Sequence, residues 1–299
     1  MTGLADPTVA ILLTGMLVGV SASLLGSFLV LRGNSMLADA ISHSILFGIA
    51  LAWLLTGQTS GPVQIAGAAL SGVLAVYLIE TLTRTRRLRD DAAIGLVFPA
   101  LFSAGVILIN VFARDVHLDE HTVLLGEIGF VWLDTVTLGG IEVPRAMLAM
   151  AVMLVLDAAF VLAFYKALKL ATFDPDLARA LGLAPGLIFY VHLSLLSGTA
   201  VAAFDAVGVV LFITFVVVPP ATAYLLTRRL SSMIVLAMIL AAASAPLGYA
   251  VAFWLDVSIG GAMALATGPF LLLAYGWRRW RARQQARAAG GLQSPSASA

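Results

Sequence analysis

Asp39 and His43 interrupt a run from Asn34 to Trp53 that is otherwise apolar enough to cross a membrane. On a helix, a spacing of four puts both side chains on one face, one turn apart. An ionisable group at membrane depth is costly, about 2.5–3.5 kcal/mol for Asp on insertion scales, so such groups face a cavity or a pathway and do work. An imidazole nitrogen beside a carboxylate oxygen is also a natural pair of ligands for a divalent transition metal. A transition metal takes four or more ligands, so the rest must come from water, other spans or a second copy of the chain. The plainer alternative is a hydrogen bond between packed helices.

Other polar residues raise the same question. Asp157 falls near the centre of the fifth apolar run, where it either lines the same path as a metal ligand or bonds a neighbouring Ser or Thr. His192 stands alone in an apolar span, which suits packing, and Asp205 sits at the end of its span. The segment from Arg114 to Pro144 is acidic and holds His117, Asp119, Glu120 and His121, which could gather a cation at a mouth or simply be solvated. Its middle, Thr122 to Trp132, is apolar and is expected to lie along the membrane interface or dip into it. Pro219 and Pro220 should kink the span that holds them. The lysines are Lys166 and Lys169 alone, with no phosphate-binding loop and no His-Glu-x-x-His pattern. The chain is therefore expected to be no enzyme in itself.

The elements that position these residues follow from composition. Of 299 residues, 61% are hydrophobic and 11% charged, with a mean hydropathy of +1.02, where a soluble domain carries about 25% charge. The fold class is all-α, a polytopic helical membrane protein; a β-barrel would show short alternating segments instead. A net charge of +1 gives no case for nucleic acid as a partner, and the absence of cysteine removes disulfides and thiolate sites.

Hydropathy marks spans near 9–31, 36–56, 62–82, 92–113, 145–168, 186–203, 206–226, 231–254 and 259–277. The short connection between the sixth and seventh leaves the count at eight or nine. The start, Met1 to Pro7, lacks a basic region, so the first run is expected to be a retained span. Arginines and lysines cluster at 32, 84–89, 166–169, 228–229 and 278–287, all on one side if spans alternate. That side is expected to be the cytoplasm, with the N-terminus outside and the C-terminus inside. Residues 1–287 then form one transmembrane domain and 288–299 a disordered cytoplasmic tail.

On the basic side, residues 173–183 resemble a short punctuated helix. Asp174 suits the N-cap, Pro175 the first helical position, Asp176 the helix dipole and Gly182 the C-terminal cap. Two turns need something to pack against, either the membrane surface or a soluble partner.

Taken together, several stretches carry a family pattern: Gly26-Ser-Phe-Leu-Val-Leu-Arg32 with Ala38-Asp-Ala-Ile-Ser-His43; Arg89 to Phe98; Phe164-Tyr-Lys-Ala-Leu-Lys169 leading into Phe173 to Gly182; Phe204-Asp-Ala-Val-Gly208; and Val218 to Thr227. Over roughly residues 9–277 the chain resembles the membrane permease subunit of bacterial ATP-binding-cassette importers for manganese, zinc or iron. The resemblance implies that Asp39 and His43 line a metal path at a dimer axis. It also implies that Asp174, Pro175, Asp176 and Arg179 belong to a coupling helix seated on a cytoplasmic ATPase. The expected partners are an ATP-binding-cassette ATPase dimer, an extracytoplasmic metal-binding protein, a second permease copy or homologue, and membrane lipid of the bacterial cytoplasmic membrane.

No permanently bound cofactor is implied; the divalent metal is cargo, with manganese favoured and zinc or iron next. Both metal ligands must shed protons to bind, so uptake is expected to weaken in acid. One departure stands out: where the family commonly has proline before glycine, this chain has Phe47-Gly48, which puts the local helix bend in question. The alternatives are a proton-coupled secondary metal transporter using Asp39, His43 and Asp157 as a relay, an intramembrane metalloenzyme, and an importer of a metal chelate or vitamin.

Overall fold

The computed structural model of the chain describes residues 3–4, 6–57, 62–85, 87–112 and 128–291. The helices are α1 (Pro7–Leu31), α2 (Met36–Thr56), α3 (Pro62–Arg84), α4 (Asp90–Phe112), α5 (Arg145–Phe173), α6 (Pro175–Ala180), α7 (Pro185–Leu226), α8 (Leu230–Leu255) and α9 (Ile259–Gly291). A single 3₁₀ turn, Ile128–Phe130, and a hairpin of β1 (Thr135–Leu138) and β2 (Ile141–Pro144) precede α5. Among the described residues, nine helical stretches are long and apolar enough to cross a membrane, the two halves of α7 counting separately. This is a multi-pass membrane protein.

α1 is the central post. Its N-terminus is fixed by Asp6, whose carboxylate accepts from the Thr8 and Val9 amides at 3.0 and 3.2 Å, with Pro7 in the first turn. Its end is closed at Gly33, whose φ of +71° lets the chain turn into α2. Between them the helix is rich in small buried residues: Gly15, Gly19, Ser21, Ala22, Ser23, Gly26 and Ser27. Apolar lipid offers little drive for helices to associate, so small residues let backbones approach and dispersion holds them. At Gly26 the approach is closest, and any Cβ would overlap the Val216 carbonyl of α7. α5, α7 and α8 pack round this post.

α7 has 42 residues, about 63 Å if straight. It is not straight. His192 and Val216 are 24 residues apart, about 36 Å on a continuous helix. Yet the His192 ring lies 5.5 Å from Phe28, and Val216 abuts Gly26, within one turn of α1. Phe204 and Phe212 also meet edge to face at 5.6 Å. The chain reverses between them at Gly208, whose φ and ψ of 73° and 171° suit glycine almost alone. Pro185–Phe204 and Ala206–Leu226 are therefore two spans, which makes nine among the described residues. Pro219 and Pro220 leave the second half helical in φ and ψ.

Two parts differ from the sequence expectation. The stretch before α5 holds a hairpin, turned by Gly139 and Gly140 at φ of +57° and +86°. Of the two placements open to the apolar stretch from sequence, Ile128 and Val131 take the inward one and pack into the main core. At the other end, α9 remains helical to Gly291, past the Ala288 at which a disordered tail was expected. Trp277 and Trp280 meet at 5.5 Å, and the Arg281 guanidinium lies 4.7 Å over Trp277. His117, Asp119, Glu120 and His121 lie outside the described residues, as do 292–299.

Candidate functional site

α2 is enclosed on most of its circumference by α3, α4 and α7. Leu37, Ala38, Ala40, Ile41, Ser42, Ser44, Ile45, Leu46 and Gly48 are all buried. Contact with α3 is backbone to backbone: a Cβ at Gly48 would overlap the Gly67 carbonyl, and the Ser71 hydroxyl donates to the Ser44 carbonyl. α4 is nearly as close, since a Cβ at Gly105 would lie 2.8 Å from the Phe47 amide nitrogen. At Phe47-Gly48 α2 stays regular. Gly48 there serves close packing, and no proline is needed to shape the helix.

Between Met36 and Phe47 what remains open is one stripe at a spacing of three to four residues, Met36, Asp39, His43 and Phe47. It continues through Leu51 and Leu55, where Ile49, Trp53, Leu54 and Thr56 are also partly or fully exposed. Asp39 and His43 are the polar members, each side chain about one-third exposed (32% and 33%). His43 Nε2 lies 3.4 Å from Asp39 Oδ1. Two ligands each about 2.1 Å from one tetrahedral ion are themselves about 3.4 Å apart, so the two atoms already have a metal-ligand separation. The rings of Phe98 and Phe102 on α4 stand 5.7 and 5.9 Å from the His43 ring. The helix starts at Met36, where hydropathy puts the start of the span, just after the turn at Gly33. His43 is thus about 4.5 Å, and Asp39 about 10 Å, before the middle of α2. The pair is off centre.

Asp157 sits elsewhere. It is wholly buried on α5, and Ser21 of α1 donates to its Oδ2. The Thr199 hydroxyl of α7 is 2.9 Å from the same oxygen and 2.9 Å from the Leu195 carbonyl, so its single proton serves one or the other. Asp157 Oδ1 has no partner among the described residues. Of the two roles open to it from sequence, this geometry is the hydrogen-bonded one, joining α1, α5 and α7. Among the described residues no three His, Asp or Glu side chains gather at one metal-sized site. His192 is enclosed by Phe28, Phe160 and Phe189 at 5.5–6.4 Å, the packing role its isolation suggested.

The short helix α6 has the expected punctuation. Asp174 accepts from the Leu177 amide at 2.9 Å, Arg179 pairs with Asp176, and Gly182 turns at φ +79°. Ala178 is its buried contact. Phe173, Leu177 and Leu181, four residues apart in turn, stay exposed at 59%, 46% and 66%. Sequence reading missed this stripe, because it weighed the caps and charges and not the apolar spacing.

Residues 6–277 match the ABC 3 transport family. The chain belongs to that family. Its relatives include the manganese transport system membrane protein MntD of Bacillus subtilis, 49% identical over 259 residues, covering 86% of this chain and 88% of that protein. The zinc transport system membrane protein TroD of Treponema pallidum is 44% identical over 268 residues, covering 90% of this chain and 73% of TroD. Among solved structures, PsaBC from Streptococcus pneumoniae in complex with Fab superposes with a TM-score of 0.72 at 29% identity, covering 89% of each chain. As an ABC 3 family member the chain has the permease fold of the ABC importers, which agrees with the sequence resemblance.

Proposed function

We propose that this ABC 3 protein is the permease subunit of an ATP-driven importer of a divalent transition metal, manganese before zinc or iron. It works as a pair of permeases, with itself or a homologue, between an extracytoplasmic metal-binding protein and a cytoplasmic ATPase dimer. One observation carries the reading. A carboxylate and an imidazole sit 3.4 Å apart on a part-exposed stripe of a helix whose neighbouring positions at that level are buried. Facing lipid, that pair would cost several kcal/mol; facing its copy across a two-fold axis, it becomes an Asp₂His₂ set of four ligands. In the orientation that basic residues favour, the N-terminus is outside and α6 lies on the cytoplasmic side.

The preference for manganese rests on the greater identity to MntD than to TroD, since a mixed oxygen and nitrogen set accepts several metals. The test is uptake by the assembled complex in proteoliposomes, with radiolabelled Mn²⁺ competed by Zn²⁺ and Fe²⁺. ATP-dependent Mn²⁺ entry with weaker competition by the others is expected. Entry that follows a proton gradient without ATP would support the secondary-transporter alternative instead.

Asp157 serves in this reading as a brace and not a ligand. Asp157→Ala leaves the Ser21 hydroxyl facing a void, a loss of about 1–3 kcal/mol. The thermal midpoint in detergent should fall by several degrees, while the metal concentration for half-maximal uptake stays within about two-fold. A selective loss of metal affinity at unchanged stability would make Asp157 a ligand after all.

A further inference from the structure

Metal-binding imidazoles are normally held by a hydrogen bond from the second ring nitrogen to a carboxylate, a carbonyl or water, which fixes the ring and raises its basicity. Around His43 the described side-chain interactions are the 3.4 Å approach of Nε2 to Asp39 and the two phenylalanine rings of α4. Phe98 lies tilted against the imidazole at 32°, and Phe102 meets it edge to face at 88°. The two phenylalanines are one helical turn apart, so they form one wall.

That wall is not free to drift. One turn beyond Phe102, Gly105 brings the α4 backbone against the α2 backbone at Phe47. Pro99, between the two rings, removes a backbone donor from α4 and stiffens φ at that point. α3 holds α2 from another side through Gly48 and Ser71. The His43 ring therefore sits between a fixed aromatic wall and the open stripe.

We propose that Phe98 and Phe102 are positioning residues for the metal step, orienting the His43 imidazole by ring contact. This rests on the permease reading and adds a consequence to it. Ring contact holds the imidazole in one orientation toward the open stripe, so an arriving ion meets a ligand already placed. Edge-to-face and tilted ring pairs contribute on the order of 1 kcal/mol each beyond buried area, enough to select one ring orientation.

The experiment compares Phe98→Leu/Phe102→Leu with Phe98→Tyr/Phe102→Tyr and with His43→Gln in the assembled transporter, reading Mn²⁺ uptake against concentration. The leucine pair keeps apolar volume but loses both rings; its half-saturating concentration should rise about five- to ten-fold with maximal rate reduced less than two-fold. The tyrosine pair keeps the rings and should stay within about two-fold of the parent. If the leucine pair does not assemble, Phe102→Leu alone should raise half-saturation at least two-fold. Unchanged half-saturation in the leucine variants, with His43→Gln inactive, overturns the positioning role and leaves the permease reading intact. Parental uptake in His43→Gln removes His43 from the metal path, which is a failure of the site reading and not of ring positioning alone.

Discussion

Asp39→Asn and His43→Gln should each reduce metal uptake about 100-fold or more while the protein still assembles. Both substitutions nearly keep size and shape, and both sites are only partly enclosed, so little packing is lost. Metal affinity is what changes. Removing a group that merely orients a ligand costs about 10–100-fold in affinity; removing the ligand itself should exceed that. In a symmetric pair of permeases one substitution deletes two of four ligands at once. In a heterodimer the loss is one ligand and the defect correspondingly smaller, so its size also reports on the partner. The assay is initial-rate radiomanganese uptake at several concentrations, with assembly followed by gel filtration in detergent. Uptake at the parental rate in both variants would remove Asp39 and His43 from the path.

Much of this was open to a reader of the sequence, for reasons that differ by feature. Span positions follow from hydropathy because lipid leaves the backbone few options, and the structure moves most ends by only a few residues. The spacing of Asp39 and His43 placed them on one face before any coordinates, since helical periodicity does that alone. Two things were less legible. The reversal at Gly208 has no polar loop to announce it; hydropathy divides the run near 203–206 but leaves eight or nine spans open, and nothing in it marks the glycine that turns the chain. The neighbours of each polar group depend on which helices meet. Asp157 could have faced the pair or a hydroxyl, and only the packing of α1 against α5 and α7 brings Ser21 and Thr199 to it. Phe98 and Phe102 were quiet for the same reason: in an apolar helix, two phenylalanines look like all the rest. The hairpin is a different case, because Gly139-Gly140 between residues of alternating character is a readable turn signal. The acidic composition of that loop drew attention away from it.

The second large effect is expected at α6. Leu177→Glu should abolish ATP-dependent uptake almost wholly, at least ten-fold, with metal binding to the permease pair unchanged. Phe173, Leu177 and Leu181 form an exposed apolar stripe on a helix of six residues and its flanks, at the point where α5 ends and α7 begins. A helix that short has no stability of its own. It is kept by Asp174 capping Leu177, by the pairing of Arg179 with Asp176, and by the Leu183 amide bonded to Ala178 at 3.0 Å. Such local reinforcement of a projecting element suits one that must be gripped and moved as a unit. A carboxylate at Leu177 leaves that frame intact and puts charge into the apolar contact, where leaving it unpaired costs several kcal/mol. Asp174→Ala tests the frame instead: loss of an N-cap is about 1 kcal/mol, so coupling should weaken by only a few-fold. The measurement is metal-stimulated ATP hydrolysis together with uptake in proteoliposomes. Coupling that survives Leu177→Glu would return this segment to the role of a linker lying on the membrane, and the ATPase would have to grip the permease elsewhere.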